Sequence, residues 1–372
     1  MSHLFITHRH KSVFKNLIQR FQQTNTLKAI VVCTYTVDVK FCRKFIKECK
    51  VQAPLFVLYG SHQHKKNIQK AKKGKHLFLY FASKGHGRQH AKCMILIGTS
   101  ALQLIISTCN FSEHKRSQNA FFTCLLPLKS SVRKPTLFQS RLISFFDAFP
   151  DTVLDQLTLD LQQYNMNPVQ SYLKRARLKS IPLNVNLITS TPPKGQAFKS
   201  TGIGQLNDVH LPATKLVTVQ PTSIGAHLGD NFFSVLKMCI GVRQGTRMRI
   251  VIPKLLLYSK IMRDRLSEFP DSILDKIKPL LWKDKRLNTK DPYTKVPNVA
   301  HLKLMYGSNR HRTRVKWLLM TSMSLSIGAC GRFVCPSNVN AVHTYQTCKC
   351  KNNDDTCERV FAAKNYEMGI LI

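Results

Sequence analysis

One short pattern occurs twice in this chain of 372 residues and constrains its fold more than any other feature. Each copy is a histidine, a lysine two positions later, an apolar run and a small polar residue: His90, Lys92 and Asn110 in the first half, His301, Lys303 and Ser324 in the second. Alternate side chains of a β-strand point to the same face of a sheet, so each histidine and lysine can contact one ligand. The repeat predicts a duplicated unit that supplies two imidazoles and two ammonium groups, a set suited to a phosphodiester.

The order of apolar runs predicts the fold class. Runs rich in β-branched residues alternate with helical segments, which is typical of α/β sheets covered by helices on both faces. In the second half, residues 255–266 and 270–281 are predicted helices, the latter beginning at Pro270 and Asp271. The breaker cluster Ser-Thr-Pro-Pro-Lys-Gly at 190–195 predicts two domains, 1–195 and 196–372, each with one copy of the pattern.

The charge of the chain indicates a polyanionic partner. Lys and Arg number 57 against 19 Asp and Glu, which gives a formal net charge of +38. Such an excess costs self-repulsion and is typical of proteins that bind polyanions, so nucleic acid is the first candidate and an anionic membrane surface the second. We expect no membrane-spanning segment, because no apolar run is long enough.

The cysteines predict a reducing compartment. Twelve cysteines occur without a recognisable secretory signal, which favours free thiols in the nucleus or the cytoplasm. Five cysteines lie between residues 330 and 357, but their spacing matches no standard zinc pattern. We therefore expect no metal site.

Several motifs, taken in order, resemble the tyrosyl-DNA phosphodiesterase family, the branch of the phospholipase D superfamily that works on 3′ ends. The lysine and the small polar residue are 18 positions apart in the first copy and 21 in the second. Asn110 stands where lipases of the superfamily carry Asp. The family's supporting Gln, its phosphate-contacting Ser-Ser-x-Gly loop and its closing Tyr-Glu-Leu-Gly segment are matched by Gln118, by residues 221–225 with Ser223, and by residues 365–371 with Glu367.

The resemblance covers essentially the whole chain and implies both a fold and a set of roles. It implies two phospholipase D-like α-β-α sandwich domains, related by a pseudo-twofold axis, with the active site between them. His90 would attack phosphorus, while His301 would protonate the leaving group and then activate water. Phosphate contacts would come from five residues: Lys92, Lys303, Asn110, Ser324 and Ser223. Two further residues would each position the histidine of the opposite half: Gln118 would position His301, and Glu367 would position His90. No cofactor is implied.

One position departs from the family pattern, which has Asn where this chain has Ser324. A hydroxyl is shorter than an amide and offers one donor instead of two, so we expect a weakened phosphate contact. The alternative is a degenerate half-site.

The function implied by the resemblance is a DNA-repair phosphodiesterase. It would convert 3′-phosphotyrosyl and other 3′-blocking adducts to a 3′-phosphate through a phosphohistidine. Its partners would be DNA with 3′ adducts, at single-stranded, nicked or duplex ends, and a topoisomerase I-derived peptide as leaving group. We expect a monomer in the nucleus, or in the cytoplasm if the protein is viral. The alternatives are a nucleic-acid-binding pseudoenzyme of the same fold, a nuclease and a lipid phosphodiesterase.

Overall fold

The computed structural model divides the chain into two compact units, Met1–Leu187 and Ile188–Ile372. It describes residues 2–7, 10–48, 52–61, 76–84, 87–112, 119–131, 134–177, 184–192, 202–221, 224–225, 228, 230–253, 264, 266–267, 269, 271–280, 302–323, 325–330, 332–334, 360–363 and 365–372. The predicted domain boundary at 195/196 lies outside these residues and stays a prediction.

The first unit is built on a seven-stranded mixed sheet with the order β1-β9-β8-β7-β2-β3-β4, in which β2, β3 and β4 are parallel. Its strands, with the short hairpin β5-β6, are β1 (Ser2–Thr7), β2 (Leu27–Thr34), β3 (Leu55–Tyr59), β4 (Leu77–Phe81), β5 (Ser83–Lys84), β6 (Gly87–Arg88), β7 (Cys93–Gly98), β8 (Ala101–Ser107) and β9 (Asn119–Pro127). Its helices in the described residues are α1 (His10–Thr24), α2 (Val39–Glu48), α3 (Leu137–Asp147), α4 (Asp151–Gln162) and α5 (Val169–Arg175).

The second unit contains another seven-stranded sheet, with the order β10-β18-β15-β14-β11-β12-β13. Its strands, with the short pair β16-β17, are β10 (Asn186–Ser190), β11 (Leu216–Gln220), β12 (Arg247–Pro253), β13 (Ile277–Leu280), β14 (Leu304–Ser308), β15 (Val315–Thr321), β16 (Arg332–Val334), β17 (Val360–Ala362) and β18 (Glu367–Leu371). Its described helices are a 3-10 helix (Gly202–Asp208), α6 (Asp230–Cys239), α7 (Asp271–Leu274) and α8 (Ile327–Cys330).

The two sheets have the same topology. The short pairs β5-β6 and β16-β17 lie outside the two large sheets. If the remaining strands of each unit are numbered from one to seven along the chain, both sheets have the order 1-7-6-5-2-3-4. The lysine of each pattern immediately precedes an equivalent strand, Lys92 before β7 in the first unit and Lys303 before β14 in the second. The duplicated α/β fold predicted from the sequence is confirmed.

The central strands are apolar because both of their faces are covered. All residues of β7 and β8 are buried, which explains why these segments read as continuous apolar runs instead of alternating ones. On one face, α1 and α2 contribute Phe14, Phe41 and Phe45, whose rings pack edge-on against Phe111 at centroid distances between 4.9 and 5.4 Å. This cluster fixes the loop after β8, where the first pattern ends.

One predicted element is wrong. The sequence predicts a helix over residues 270–281, but α7 ends at Leu274 and β13 begins at Ile277, after a two-residue turn. Pro279 cannot donate a backbone hydrogen bond inside a helix, and Ile277 instead pairs with Ile250 of the parallel neighbour β12. Most of the other predicted helix, 255–266, lies outside the described residues. In the described part of the chain, no helix is long and apolar enough to cross a membrane.

Candidate active site

The first pattern brings an imidazole and a buried ammonium group into contact. Lys92 immediately precedes β7 and is 1% exposed. Its Nζ donates to the backbone oxygen of His90 at 2.5 Å and lies 3.2 Å from Nδ1 of the same residue. A buried charge is costly unless polar groups surround it, so these contacts hold the Lys92 side chain against the half-buried His90 ring.

Tyr35, which follows β2, connects His90 to Asn110. The rings of Tyr35 and His90 are 5.0 Å apart between centroids and inclined by 60°. The backbone nitrogen of Tyr35 donates to Oδ1 of Asn110 at 3.3 Å. The ends of neighbouring strands of one sheet therefore place an imidazole, an ammonium group and an amide together.

A close approach between the backbones of Gly60 and Gln89 supports this arrangement. Gly60 follows β3, and its nitrogen donates to the backbone oxygen of Tyr35 at 3.1 Å. A Cβ atom on Gly60 would lie 2.0 Å from the backbone oxygen of Gln89, the residue before His90. Only glycine fits at this position without displacing the His90 segment.

The second unit repeats the backbone geometry of the first. Lys303 is 2% exposed, and its backbone oxygen accepts a hydrogen bond from the nitrogen of Thr321 at 3.1 Å. In the first unit, the oxygen of Lys92 accepts from the nitrogen of Ser107 at 2.8 Å. The two lysines thus occupy equivalent positions in their sheets. Asn110 lies three residues after Ser107, and position 324 lies three residues after Thr321, so these two positions correspond as well.

Glu367 is fully buried at the beginning of β18 and is held by a serine. Its Oε2 accepts a hydrogen bond from Oγ of Ser322 at 2.5 Å, and the same Oγ accepts from the nitrogen of Met368 at 3.0 Å. The Nδ2 atom of Asn365 lies 3.4 Å from Oε1 of Glu367. Burial, with a smaller contribution from the charge of Glu367, raises the pKa of the Cys330 thiol to about 12.

A residue that the sequence analysis missed stands at the same place in the first unit. Oγ1 of Thr108 donates to Oδ1 of Asn119 at 3.4 Å and accepts from the nitrogen of Ala120 at 3.1 Å. The trio Thr108, Asn119 and Ala120 therefore matches Ser322, Glu367 and Met368. Asn119 is completely buried. Only the register of β9 on β8 shows this equivalence, so spacing along the chain could not reveal it.

Some predicted site residues lie outside the described residues: Gln118, Ser223, His301 and Ser324. Their roles stay predictions, but residues next to two of them meet. Ile224 forms a β-bridge with Leu325, and the nitrogen of Gly225 donates to the oxygen of Leu325 at 2.8 Å. Residues 224–225 and Leu325 are therefore joined in the second unit.

Comparisons with known proteins bear on the family and the fold of the chain. The family model described as tyrosyl-DNA phosphodiesterase matches residues 7–248, which is more than half of the chain. The crystal structure of the yeast tyrosyl-DNA phosphodiesterase is similar over 100% of this chain and 88% of its own, with a TM-score of 0.58 and 15% identity. A mutant of the yeast tyrosyl-DNA phosphodiesterase 1 is similar over 100% and 89%, with a TM-score of 0.59 and 14% identity. A comparison with curated protein sequences found no match.

The structural likeness, at such low identity, supports the fold, whereas the family match covers the first unit and the beginning of the second. The matched range contains His90, Lys92, Asn110 and Asn119, which the structure brings to one end of the first sheet. The chain is a phosphodiesterase that belongs to the tyrosyl-DNA phosphodiesterase family.

Proposed function

We propose that this protein hydrolyses 3′-phosphotyrosyl and other 3′-blocking adducts on DNA to a 3′-phosphate, through a phosphohistidine intermediate. The observation that carries the proposal is the contact of the buried Lys92 ammonium with the His90 ring, 3.2 Å from Nδ1, beside the amide of Asn110. A nucleophile, a fixed positive charge and a neutral donor are what an attack on a phosphodiester requires.

His90 is the proposed nucleophile. Its Nε2 attacks phosphorus, an N–P bond forms, and the bond between phosphorus and the tyrosyl oxygen breaks. His301 donates a proton to that oxygen. His301 then accepts a proton from water, whose oxygen attacks phosphorus, so that the N–P bond breaks and a 3′-phosphate leaves.

Attack by Nε2 requires that this nitrogen carry no proton, so the ring proton must lie on Nδ1. Because Nδ1 lies 3.2 Å from Nζ of Lys92, and an ammonium group only donates, that contact must open before the attack. The resemblance assigns the positioning of the His90 ring to Glu367, whose Oε2 accepts a hydrogen bond from Oγ of Ser322. A neutral His90 is the state that attacks.

Three described groups are suited to holding the phosphate oxygens. Lys92 and Lys303 lie at equivalent places in the two sheets and are the proposed positive charges opposite the phosphate. Because Oδ1 of Asn110 accepts from the backbone of Tyr35, its Nδ2 hydrogens remain for a phosphate oxygen. In the other half, Ser324 offers a single hydroxyl, and Ser223 adds another. We propose DNA as the substrate because of the charge of +38, with a monomeric protein acting in the nucleus.

The test is the hydrolysis of an oligonucleotide with a 3′-phosphotyrosine, in the presence of EDTA. We expect a 3′-phosphate product, and a strong loss of rate in His301→Ala but not in His210→Ala, which removes an exposed histidine of the second unit. A wild-type protein that binds the oligonucleotide with steep salt dependence but does not cleave it would contradict the proposal and indicate a pseudoenzyme. Cleavage of a 3′-hydroxyl oligonucleotide at the same rate would indicate a nuclease, and cleavage of phosphatidylcholine a lipid phosphodiesterase.

A further inference from the structure

The second sheet carries a group of cations at the end opposite to Lys303. β14 runs from Leu304 to Ser308, directly after Lys303, and its hairpin to β15 occupies residues 309–314. At roughly 3.4 Å per residue, this hairpin lies about 20 Å from Lys303 along the strand. β11 and β12 both begin at the hairpin end, because Leu216 pairs with Ser308 and with Arg247.

Seven exposed basic residues are carried by the loops and strand ends at this end of the sheet. We call them the hairpin patch: Lys215, Arg243, Arg247, Arg310, Arg312, Arg314 and Lys316. The three segments that carry them, 211–220, 239–253 and 302–323, contain no Asp or Glu. Unlike a surface of mixed charge, the patch has no acidic residue within its own segments to balance it.

Hydrogen bonds fix the backbone of the hairpin patch before any ligand binds. In the hairpin, the nitrogen of Asn309 donates to the oxygen of Arg314 at 3.1 Å, and Nδ2 of Asn309 donates to Oγ1 of Thr313 at 2.7 Å. Arg312 adopts a positive φ of 61°, which a non-glycine residue adopts only at some cost. The nitrogen of Arg247 donates to the oxygen of Lys215 at 3.0 Å, so the strand ends are joined to each other.

Buried polar side chains lie on the strands next to the patch. In the described residues, Nε of Arg249, Oγ1 of Thr218 and Oγ of Ser308 are buried and have no hydrogen-bond partner. Thr218 pairs with Arg249 in the β11-β12 register, two residues inward from Arg247. Burial, followed by the nearby charge of Arg312 in the hairpin patch, lowers the pKa of Arg249.

We infer that the hairpin patch is a binding surface for the phosphate backbone of duplex nucleic acid, separate from the site that contains Lys303. Five of its seven cations are arginines, which bind phosphate in a bidentate manner. From β12 to β15 the patch spans three strand spacings, about 15 Å, across which duplex DNA presents about nine charges. Val315 is the one large apolar residue exposed within it, so the patch lacks the apolar groups that insert into a lipid bilayer.

A closed duplex, capped at both ends by hairpin loops, isolates this surface because it has no 3′ end for the catalytic site. We expect the triple variant Arg310→Gln, Arg312→Gln and Arg314→Gln to bind this duplex about tenfold or more weakly near physiological salt. Loss of three phosphate contacts should also make the slope of log affinity against log salt shallower by about 2.7. The matched control is Lys134→Gln, Lys174→Gln and Arg177→Gln, which removes three exposed cations from the first unit. It should retain the affinity and slope of the wild type.

Two further variants separate the surface from folding and from catalysis. Replacing the same three arginines by lysine keeps the charge and should restore most of the affinity, and all variants should melt at the wild-type temperature. Lys303→Ala changes the catalytic site and not the hairpin patch, so it should bind the closed duplex as the wild type does. This measurement requires no reaction, and failure of the proposed reaction would therefore leave the inference intact. An equal loss in both triple variants would overturn the inference, because it would show a diffuse charge effect. The inference would also be overturned if the arginine-to-glutamine triple variant lost binding to phosphatidylserine vesicles but kept its binding to DNA.

Discussion

Asn119 occupies in the first unit the position that Glu367 occupies in the second. Each is fully buried at the beginning of its strand and lies against a hydroxyl, Thr108 at 3.4 Å in one case and Ser322 at 2.5 Å in the other. The Thr108 hydroxyl also accepts a hydrogen bond from the backbone nitrogen of Ala120, at 3.1 Å. The Ser322 hydroxyl accepts one from the backbone nitrogen of Met368, at 3.0 Å. An amide and a carboxylate at equivalent places would give the two histidines different hydrogen-bond partners, which is one way to make them act in different protonation states.

This equivalence makes Asn119 a candidate positioning residue of the first unit, as an alternative to Gln118, whose role stays a prediction. We expect Asn119→Ala to lower kcat on the 3′-phosphotyrosyl substrate by about tenfold or more, and to shift the pH profile of kcat, whereas Gln118→Ala should have a smaller effect on both. Comparing full pH–rate profiles of the two variants checks this. A Gln118→Ala variant that is the more impaired, with a shifted profile, would reverse the assignment.

Ser324→Asn supplies the amide that the family pattern has at this position. Because removal of one donor to a developing negative charge typically costs about 10²–10³-fold in rate, restoring a second donor should raise kcat measurably. The control is Ser267→Asn, at an exposed position. An unchanged kcat in Ser324→Asn, with unchanged stability, would show that this residue does not contact the phosphate.

Gly60→Ala should disturb the His90 segment through the backbone. The added Cβ would lie 2.0 Å from the oxygen of Gln89, so the strand end must move. We expect a loss of stability of about 2–3 kcal/mol, with a loss of kcat that exceeds the loss of substrate affinity. Gly245→Ala is the matched control, since nothing lies within 4 Å of its Cβ position and only its positive φ of 76° opposes the change. Urea denaturation and steady-state kinetics measure both effects.

The buried thiols predict a fall of stability at alkaline pH. Burial raises the pKa of Cys124 and of Cys330 from 9.0 to about 12. Below pH 9 both states are protonated, but above it the unfolded chain loses protons that the folded chain keeps, so stability falls between pH 9 and 12. Each thiol contributes about 1.4 kcal/mol per pH unit in that window. Urea unfolding at pH 8 and pH 10 of the wild type and of the double Cys→Ala variant isolates this term. An identical pH dependence in both proteins would contradict it.

The sequence was sufficient for the duplicated fold because the two His-x-Lys patterns precede equivalent strands, and because fully buried strands such as β7 are continuous apolar runs. The sequence was not sufficient where the pairing of distant strands determines the local structure. Residues 277–280 have an apolar pattern compatible with a helix, but pairing with β12 makes them a strand. The role of Asn119 depends on the register between β8 and β9, which no spacing along the chain encodes. Tyr35 likewise becomes a neighbour of His90 only through the sheet.

The central claim is that His90 bonds covalently to phosphorus and that His301 completes the reaction. An oligonucleotide with a 3′-(4-nitrophenyl) phosphate tests it most directly, because nitrophenolate leaves without a proton donor while hydrolysis of the intermediate still needs a base. With His301→Ala we predict a burst of nitrophenol equal to the enzyme concentration, and a DNA adduct that peptide mass spectrometry locates on His90. A wild type that releases nitrophenol while His301→Ala gives neither a burst nor an adduct on His90 would contradict the account.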